Sequence, residues 1–431
     1  MSLVYHTLRH LCATINSMID IQLLRDTPDL IEKKAADKGY TIDAKAILAL
    51  DDSRRKMQGE IDELRQKRND ISAQMKGGRP APELIEEGKR LKTDIAEKEA
   101  AFKQVSDELK AALNGVPNPA FDDVPLGDED ASVEVKHWGE QSAGGIDHLD
   151  FATKRDWVDF ERGAKVAGAK FYYLKGDLAL LENAITQYAL QFLIDKGFTY
   201  MTVPNMVNGR TATGTGFAPR SSDQSDEYFI EGEDLSLIAT AEMPLTGYHA
   251  DEIIDEKDLP LLYAGYSPCY RKEAGTYGKH ARGLFRVHQF NKLEMYAYAT
   301  SEQSREIHEK LLAIEEELWQ SIGIPYHVIN IAAGDLGAPA AKKYDIEYWS
   351  PVDEKYRELT SCSNCTDFQA RNLNIRVRRE NGDVETVHTL NGTAVSLARS
   401  LVVILEHYQN DDGTLTVPEV LRPFMQNRDR I

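Results

Sequence analysis

The densest run of chemically capable side chains is Tyr270-Arg271-Lys272-Glu273-Ala274-Gly275-Thr276-Tyr277-Gly278-Lys279-His280-Ala281-Arg282-Gly283-Leu284-Phe285-Arg286-Val287-His288-Gln289-Phe290-Asn291-Lys292-Leu293-Glu294. It reads as strand, Gly-rich polar loop, strand. Side chains alternate faces along a strand, so Arg271 and Glu273 share one face, as do Arg286, His288, Lys292 and Glu294. Gathering arginines and carboxylates on one face is costly unless a ligand or partner satisfies them. The fixed fork of a guanidinium suits a phosphate or carboxylate, and a carboxylate suits an ammonium group.

Three other patches carry matching chemistry. Thr240-Ala241-Glu242 sets a hydroxyl and a carboxylate on one face of an extended segment. Glu358-Leu359-Thr360-Ser361 offers the oxygen set that Mg²⁺ bound to phosphates prefers. Asn391-Gly392-Thr393 is expected to open a last helix reaching about Gln409, with Thr393 near the cap and Arg399 in the second turn. A helix N-terminus with an Arg on its polar face suits an anion. Each patch alone is weak. Cys362-Ser363-Asn364-Cys365 is one C-x-x-C with no second pair and no spaced histidines. A structural zinc needs about four ligands, so two ordinary cysteines and no zinc are expected.

The elements that must position these groups follow from patterning. A helix over about 178–195 precedes Gly197 and a strand Phe198–Val203 that ends at Pro204. Several strands follow, separated by polar loops. In the last helix Leu397, Leu401, Ile404, Leu405 and Tyr408 share one face. Many strands with few helices between them predict an antiparallel sheet in an α+β domain. No G-x-G-x-x-G follows a strand and no G-x-x-x-x-G-K-[ST] occurs, which argues against Rossmann and P-loop nucleotide sites.

Upstream, residues 18–43 read as a helix and turn. Ile47, Leu50, Met57, Ile61, Leu64, Ile71 and Met75 then follow a heptad register with Arg54 and Arg68 at two a positions. Gly77-Gly78-Arg79-Pro80 breaks it. It resumes through Leu84, Gly88, Leu91, Ile95, Lys98, Phe102, Val105, Leu109 and Ala112, until Asn114-Gly115-Val116-Pro117 stops it. The two segments must form an antiparallel hairpin arm over about 44–113, projecting roughly 45–50 Å. Residues 114–170, rich in Pro, Gly and Asp, read as a linker and approach segment.

At 431 residues the chain is long enough for two or three domains. No apolar run is long enough to span a membrane. Four cysteines, Cys12 among them, are too few for a disulfide framework and suggest a reducing compartment. The net charge of −19 argues against a protein coated in nucleic acid but leaves room for a local basic surface. The arm supplies one: residues 44–113 hold 15 Lys and Arg against 14 Asp and Glu, leaving −20 on the rest of the chain. Arg65, Lys67, Arg68, Lys76, Arg79, Lys89, Arg90 and Lys92 gather on both sides of its turn, as a solvated coiled-coil face or as a contact for a polyanion. Residues 1–17 are acid-free with one Arg, a faint transit-peptide character. The reading preferred is an upstream start, with Met18 opening the functional chain.

Taken together and in this order, these features resemble the seryl-tRNA synthetase family, class II aminoacyl-tRNA synthetases, from about Met18 to Met425. The hairpin arm is the family's hallmark. Gly197–Pro204 is similar to motif 1, whose proline sits at a dimer interface. Tyr270–Glu294 is similar to motif 2. Asn391-Gly392-Thr393 through Arg399, with Leu421-Arg422-Pro423-Phe424-Met425, is similar to motif 3 and the family's ending. The resemblance implies serine binding by Thr240, Ala241, Glu242, Arg271, Glu294 and Thr393. Arg271 would hold the ATP α-phosphate and the serine carboxylate. Glu294 would accept the ammonium, and Thr393 would sit near the hydroxyl. Glu273 and Val287 match contacts to the adenine end. Lys272, Glu358, Leu359, Thr360 and Ser361 complete the ATP contacts, with Glu358 and Ser361 as Mg²⁺ ligands. Arg399 matches the arginine at the γ-phosphate, and Arg271 and Arg399 are the catalytic pair.

The resemblance further implies ATP and Mg²⁺ as cofactors, L-serine and tRNA(Ser) as substrates, with tRNA(Sec) as a further acceptor, a homodimer, and a cytoplasmic location. It implies an N-terminal tRNA-binding domain over 18–125, in which Arg65, Lys67, Arg68, Lys76 and Arg79 read tRNA, and a catalytic domain over 126–431. Glu-Leu-Thr-Ser departs from a more usual Glu-Ile-Ser-Ser, Thr393 from Ser, and Ala394–Ala398 from a more Gly-rich run. Two other classes fit parts of the pattern: a paralogue that charges a carrier protein, which would not need the arm, and a catalytically dead interaction protein, which would not keep Arg271, Glu273, Glu294, Glu358 and Arg399.

Overall fold

The computed structural model of the protein describes residues 19–75, 81–216, 226–273 and 282–431. Lys76 and Arg79 of the basic set, the motif 2 loop residues 274–281, Cys12 and the whole segment before Ile19 lie outside them. The chain divides into two compact units, Met1–Pro117 and Asn118–Ile431.

In the first unit Asp20 caps α1 (Ile21–Asp26) by accepting from the Gln22 N–H, and Thr27 ends it. Pro28, free of an N–H to satisfy, opens α2 (Pro28–Asp37), so the one helix expected here is two. Asp43 caps α3 (Ala44–Gln74), and α4 (Pro82–Asn114) returns along it. The heptad register holds: every a and d position named above is buried or half-buried among the described residues. At 31 residues α3 is about 46 Å long. One buried carboxylate ties its root. Asp51 is 1% exposed and takes Arg25 at 2.9 Å, Arg54 at 3.0 Å and Arg55 at 2.8 Å. Burial pushes its pKa up, but the bonds from Arg54 and Arg25 win and hold it below the usual aspartate value. Farther out, Lys98 pairs with Glu60 and Arg65 with Glu99 across the hairpin.

The second unit begins at Asn118, not at 126. The Asn118 Nδ2 donates to the carbonyls of Pro339 at 2.8 Å and Cys365 at 2.9 Å, and Ala120 and Val124 pack on Ile331 and Leu336. Nor is 114–170 a linker. It contributes β1 (Val133–Trp138), α5 (His148–Lys154), β2 (Val158–Asp159) and α6 (Phe160–Ala167). The chain continues through β3 (Tyr173–Leu174), α7 (Gly176–Asp195), β4 (Thr199–Thr202), β5 (Met206–Asn208), α8 (Gly209–Thr215), β6 (Leu235–Leu237), α9 (Glu242–Gly247), β7 (Ile253–Asp255), β8 (Leu261–Tyr270) and β9 (Gln289–Ala299). Then come α10 (Ser304–Ile322), β10 (Tyr326–Asn330), β11 (Lys342–Ser350), β12 (Lys355–Asn364), α11 (Phe368–Leu373), β13 (Arg376–Arg378), β14 (Val384–Thr386), β15 (His388–Ser396) and α12 (Leu397–Tyr408).

Eight strands form the main sheet in the order β1-β10-β11-β12-β15-β9-β8-β4. Every pairing is antiparallel except β4 with β8, which run parallel. The α+β, antiparallel expectation therefore holds, with one parallel edge strand. Leu293, Met295 and Ala297 of β9 face one hydrophobic cluster with Leu181 of α7, Trp319 of α10 and Leu401 of α12. Tyr296 and Tyr298 of the same strand face the opposite side, against Ala241, Leu245 and Leu373. Glu294 shares their parity, so it too points to that second side. Among the described residues no helix is long and apolar enough to cross a membrane.

Candidate active site

Two register shifts make the site. Along β12, Ser361 stands opposite Asp345 and Glu358 opposite Glu347, with an irregularity between them. Asp345 and Glu347 share a face, so Glu358 and Ser361 share it too, although three residues apart. An unbulged strand would put them on opposite sides. The two residues between them turn to the core: Leu359 is buried, and the Thr360 Oγ1 donates to the Glu315 Oε2 on α10 at 2.9 Å. The same device recurs on β15, where Thr393 stands opposite Glu294 and Ser396 opposite Lys292 with a shift at Ala394. Thr393 therefore lies in a strand, not at a helix cap. The helix starts at Leu397, and Arg399 is in its first turn. The helix N-terminus expected at Asn391–Thr393 therefore lies a turn later, with Ser396 at the cap.

A cavity of about 230 Å³ opens over these strands, lined in part by Arg271, Glu273, Val287, Glu358, Ser361 and Arg399. Arg271 follows β8 directly. Its N–H donates to the His288 carbonyl at 3.0 Å, its own carbonyl meets the His288 Nδ1 at 2.9 Å, and its guanidinium lies 5.3 Å over the Phe290 ring. Arg399 meets the Glu358 Oε1 at 3.1 Å and lies 5.0 Å over the Phe285 ring. Arg286 reaches the Glu273 Oε2 at 3.0 Å. Burial alone would raise the Glu358 carboxyl, yet Arg399, Lys343 and Arg271 pull it down to about 2. This end of the cavity is cationic and holds its carboxylate ionised at any physiological pH.

Beside it lies a more deeply buried polar cluster. Thr240, Glu242 and Glu294 are nearly inaccessible. Thr240 and Ala241 sit in a turn and Glu242 starts α9, so the extended segment expected there is a turn into a helix. Gly265 on β8, opposite Glu294, makes room: a Cβ there would meet the Leu245 Cδ1 at 2.8 Å and the Ala241 Cβ at 3.1 Å. The Thr240 Oγ1 donates to the Glu294 Oε2 at 3.3 Å, and Lys292, which also lines the cavity, pairs with Glu294. The Glu242 Oε1 accepts from the Gln369 Nε2 at 2.7 Å and the Asn391 Nδ2 at 2.9 Å. Burial, then repulsion from Glu294, lifts the Glu242 carboxyl to about 7. Glu294 is raised as well, chiefly by burial. Two acids whose ionised forms are strained are suited to a cationic ligand.

Thr393, Val287 and Ser361 thus line the cavity with Arg271, Glu273, Glu358 and Arg399. Lys272 does not. Its ammonium lies 5.5 Å over the Phe229 ring and 5.9 Å over Tyr228. Leu359 and Thr360 reach the cavity while their side chains serve the core side. Among the groups that escaped the sequence reading as site residues are Phe285 and Phe290, whose rings suit the face of a base, Lys343 and Gln369. The phenylalanines stand inside the run first singled out. Lys343 and Gln369 had no local signal, since β11 and α11 come to the site only through sheet pairing and packing. Burial opposes the charge on Lys343, but Asp345 and Glu358 raise its pKa above the ordinary lysine value.

Cys362 and Cys365 are both buried, and neither is in a disulfide. Cys362 lies in the sheet core, and the Cys365 Sγ accepts from the Asn391 Nδ2 at 3.8 Å. On the arm, Lys67 is exposed and Arg68 half-buried, while Arg65 is held at 2.8 Å by Glu99.

An antiparallel sheet with these cationic and acidic groups along it is the architecture of class II aminoacyl-tRNA synthetases. Residues 227–408 match the model of the tRNA synthetase class II core domain (G, H, P, S and T), and residues 18–120 match that of the seryl-tRNA synthetase N-terminal domain. A serine–tRNA ligase of Dictyoglomus turgidum is 46% identical over 417 residues, covering 95% of this chain and 98% of that protein. One from Methanocella arvoryzae is 43% identical over 422 residues, covering 95% and 99%. Among solved structures, seryl-tRNA synthetase from Pyrococcus horikoshii complexed with ATP superposes with a TM-score of 0.86 at 41% identity, covering 96% of this chain and 99% of that one. The cytoplasmic serine–tRNA ligase from Naegleria fowleri in complex with AMP gives 0.82 at 32% identity, covering 96% and 98%. The chain belongs to the seryl-tRNA synthetase family.

Proposed function

We infer that the chain is a serine–tRNA ligase that activates L-serine with ATP and passes the seryl group to the 3′ end of tRNA(Ser), with tRNA(Sec) as a further acceptor. The observation that carries this reading is the adjacency of a cationic cavity, with Arg271, Lys343 and Arg399, to a buried acidic cluster with Glu242 and Glu294. Triphosphate fits the first and an α-ammonium the second. Arg271, lying between the carbonyl of Ala239 and the Phe290 ring, is placed to hold the serine carboxylate against the α-phosphate. Glu273 and Val287 take the adenine end beside Phe290. Arg399 faces the outer phosphates, exchanging part of its bond to Glu358 for them. Lys272 is left out of this assignment, and Leu359 and Thr360 contribute shape only.

The serine carboxylate attacks the α-phosphorus in line. The bond to the bridging oxygen breaks, and pyrophosphate leaves. The tRNA ribose hydroxyl then attacks the seryl carbonyl, the carbonyl's bond to the AMP phosphate oxygen breaks, and AMP leaves as the hydroxyl proton passes to its phosphate or to water. No protein nucleophile is needed, because the attacking carboxylate is already ionised. Positioning and charge neutralisation carry the first step. Glu358 and Ser361, brought to one face by the bulge, form an oxygen pair that fits Mg²⁺ carried by the phosphates, where the ion would add charge neutralisation. The buried cysteines offer no four-ligand set, so we assign no zinc.

We assign tRNA binding to the N-terminal unit through Arg65, Lys67 and Arg68, joined by Lys76 and Arg79, and catalysis to the unit from Asn118. Leu180 and Ile194 on α7 and Tyr200 on β4 are exposed apolar residues. They support a homodimer in which this edge meets a second copy. We place the enzyme in the cytoplasm, with its tRNA. Serine-dependent ATP–pyrophosphate exchange and charging of tRNA(Ser) test the reading. Exchange without charging would move the carrier-protein class ahead, and neither activity would leave an interaction protein.

A further inference from the structure

We propose that Gln369 is the positioning residue of the amino-acid site, holding one oxygen of Glu242 so that the other faces the substrate ammonium. Gln369 is fully buried in α11, and its amide can take only one orientation. The Oε1 accepts from the Thr389 Oγ1 at 2.7 Å and the Tyr296 hydroxyl at 3.1 Å. The Nε2 donates to the Thr215 carbonyl at 3.0 Å and to the Glu242 Oε1 at 2.7 Å. Flipping the amide would set its NH₂ against two hydroxyls and its oxygen against a carbonyl and a carboxylate. The donor facing Glu242 is therefore fixed by Thr389 on β15, Tyr296 on β9 and the Thr215 carbonyl on α8. Asn391 donates to the same oxygen. With both of these donors on Oε1, the second carboxylate oxygen, Oε2, is left to face a ligand.

This arrangement answers a specific difficulty. Glu242 is buried beside Glu294, and both effects favour its neutral form. A neutral carboxyl would bind an ammonium poorly. The Gln369 hydrogen bond, with Lys292 and Arg271, works the other way and favours the ionised form. Lys292, Arg271 and Glu294 are charged groups that act on it, and the Tyr296 hydroxyl beside it is held neutral by burial. Gln369 has no place in the reaction itself. It sets the geometry and the charge of the group that does the binding.

The proposal rests on the reading that Glu242 shares the serine ammonium with Glu294, and the test separates the two. In ATP–pyrophosphate exchange with the full-length enzyme, serine KM should be flat above pH about 7, and rise below it as Glu242 takes a proton. Gln369→Met keeps the volume and removes the donor. It should raise serine KM by about tenfold at neutral pH, leave kcat and ATP KM within about twofold, and move the start of the rise up by about one pH unit. Gln369→Leu removes the same donor with a shorter side chain and gives the same KM readout if the methionine variant fails to fold. An unmoved profile and serine KM would overturn the proposal, as would a parallel fall in kcat and rise in ATP KM, which marks general loosening. Glu242→Gln decides the other half. If it leaves serine KM unchanged, the assignment of Glu242 falls and the proposal with it. If it raises KM while Gln369→Met does not, the proposal alone falls.

Discussion

Among the described residues, the two long helices of the first unit, 31 and 33 residues, bury four residues each, whereas α10, with 19, buries eleven. The arm is a single seam with wet outer faces. Its specificity lies in a repeat any short window shows. The sheet is the reverse: its site draws on β8, β9, β11, β12, β15, α9, α11 and α12, segments scattered over more than a hundred residues. An element held by one local seam can be removed with little effect on the rest. A site assembled by strand register cannot lose a member without loss of chemistry. The predictions below press on that difference.

The largest effect should come from Arg271→Ala. Its guanidinium is the group proposed to touch both reacting anions, and it contributes no side chain to the hydrophobic core. Adenylate formation should fall by at least about a thousandfold, or roughly 4 kcal/mol in barrier, with the thermal midpoint little changed. Near-normal exchange in the folded variant would remove Arg271 from the mechanism.

Excision of the arm comes next. Replacing 46–111 by a short Gly-Ser link should leave serine-dependent exchange within about tenfold, about 1.4 kcal/mol in barrier. Serylation of tRNA should drop by several orders of magnitude, mainly through weaker binding. An excised enzyme that charges tRNA at a near-native rate would refute the division of labour between the two units.

A finer cut distinguishes the basic residues. Lys67 is exposed and makes no ion pair among the described residues, whereas Arg65 already lies on Glu99 at 2.8 Å. Lys67→Ala should therefore weaken tRNA binding more than Arg65→Ala. Removing one cation that neutralises a phosphate should flatten the log–log salt dependence by about 0.9. Equal effects would mean that tRNA displaces Glu99 at no net cost.

The same contrast explains what reading the sequence could reach. The heptads of 44–113 are visible because the repeat is local and its a and d positions are the buried ones. The motif residues are visible because Arg271, Glu273, Glu358 and Arg399 stand in short recognisable runs. What stayed hidden depends on partners far along the chain. Nothing near Ala394 tells that β15 slips register there, so Thr393 read as a helix cap. Nothing near Gln369 tells that Glu242 lies against it. The segment 114–170 read as a linker because β1 becomes a strand only by pairing with β10, and all six of its residues stay exposed.

The smallest effect should come from the cysteines, and it tests whether a metal holds any part of the second unit. Cys362 lies in the core of β12, where burial drives its thiol pKa far above the ordinary value and keeps it neutral, not a metal-ready thiolate. Cys365 is also buried, with the Asn391 amide on its sulfur. Cys362→Ala with Cys365→Ala removes two small buried groups and leaves Asn391 its bond to Glu242. Alanine is the better replacement, since it brings no new hydroxyl into the buried sheet. The double variant should lose about 1–2 kcal/mol of stability and keep exchange within about twofold. Elemental analysis of the unmodified enzyme should find no stoichiometric zinc. A tightly held zinc that disappears together with activity in the double variant would show that the two sulfurs, not the sheet register alone, hold Glu358 and Ser361 in place.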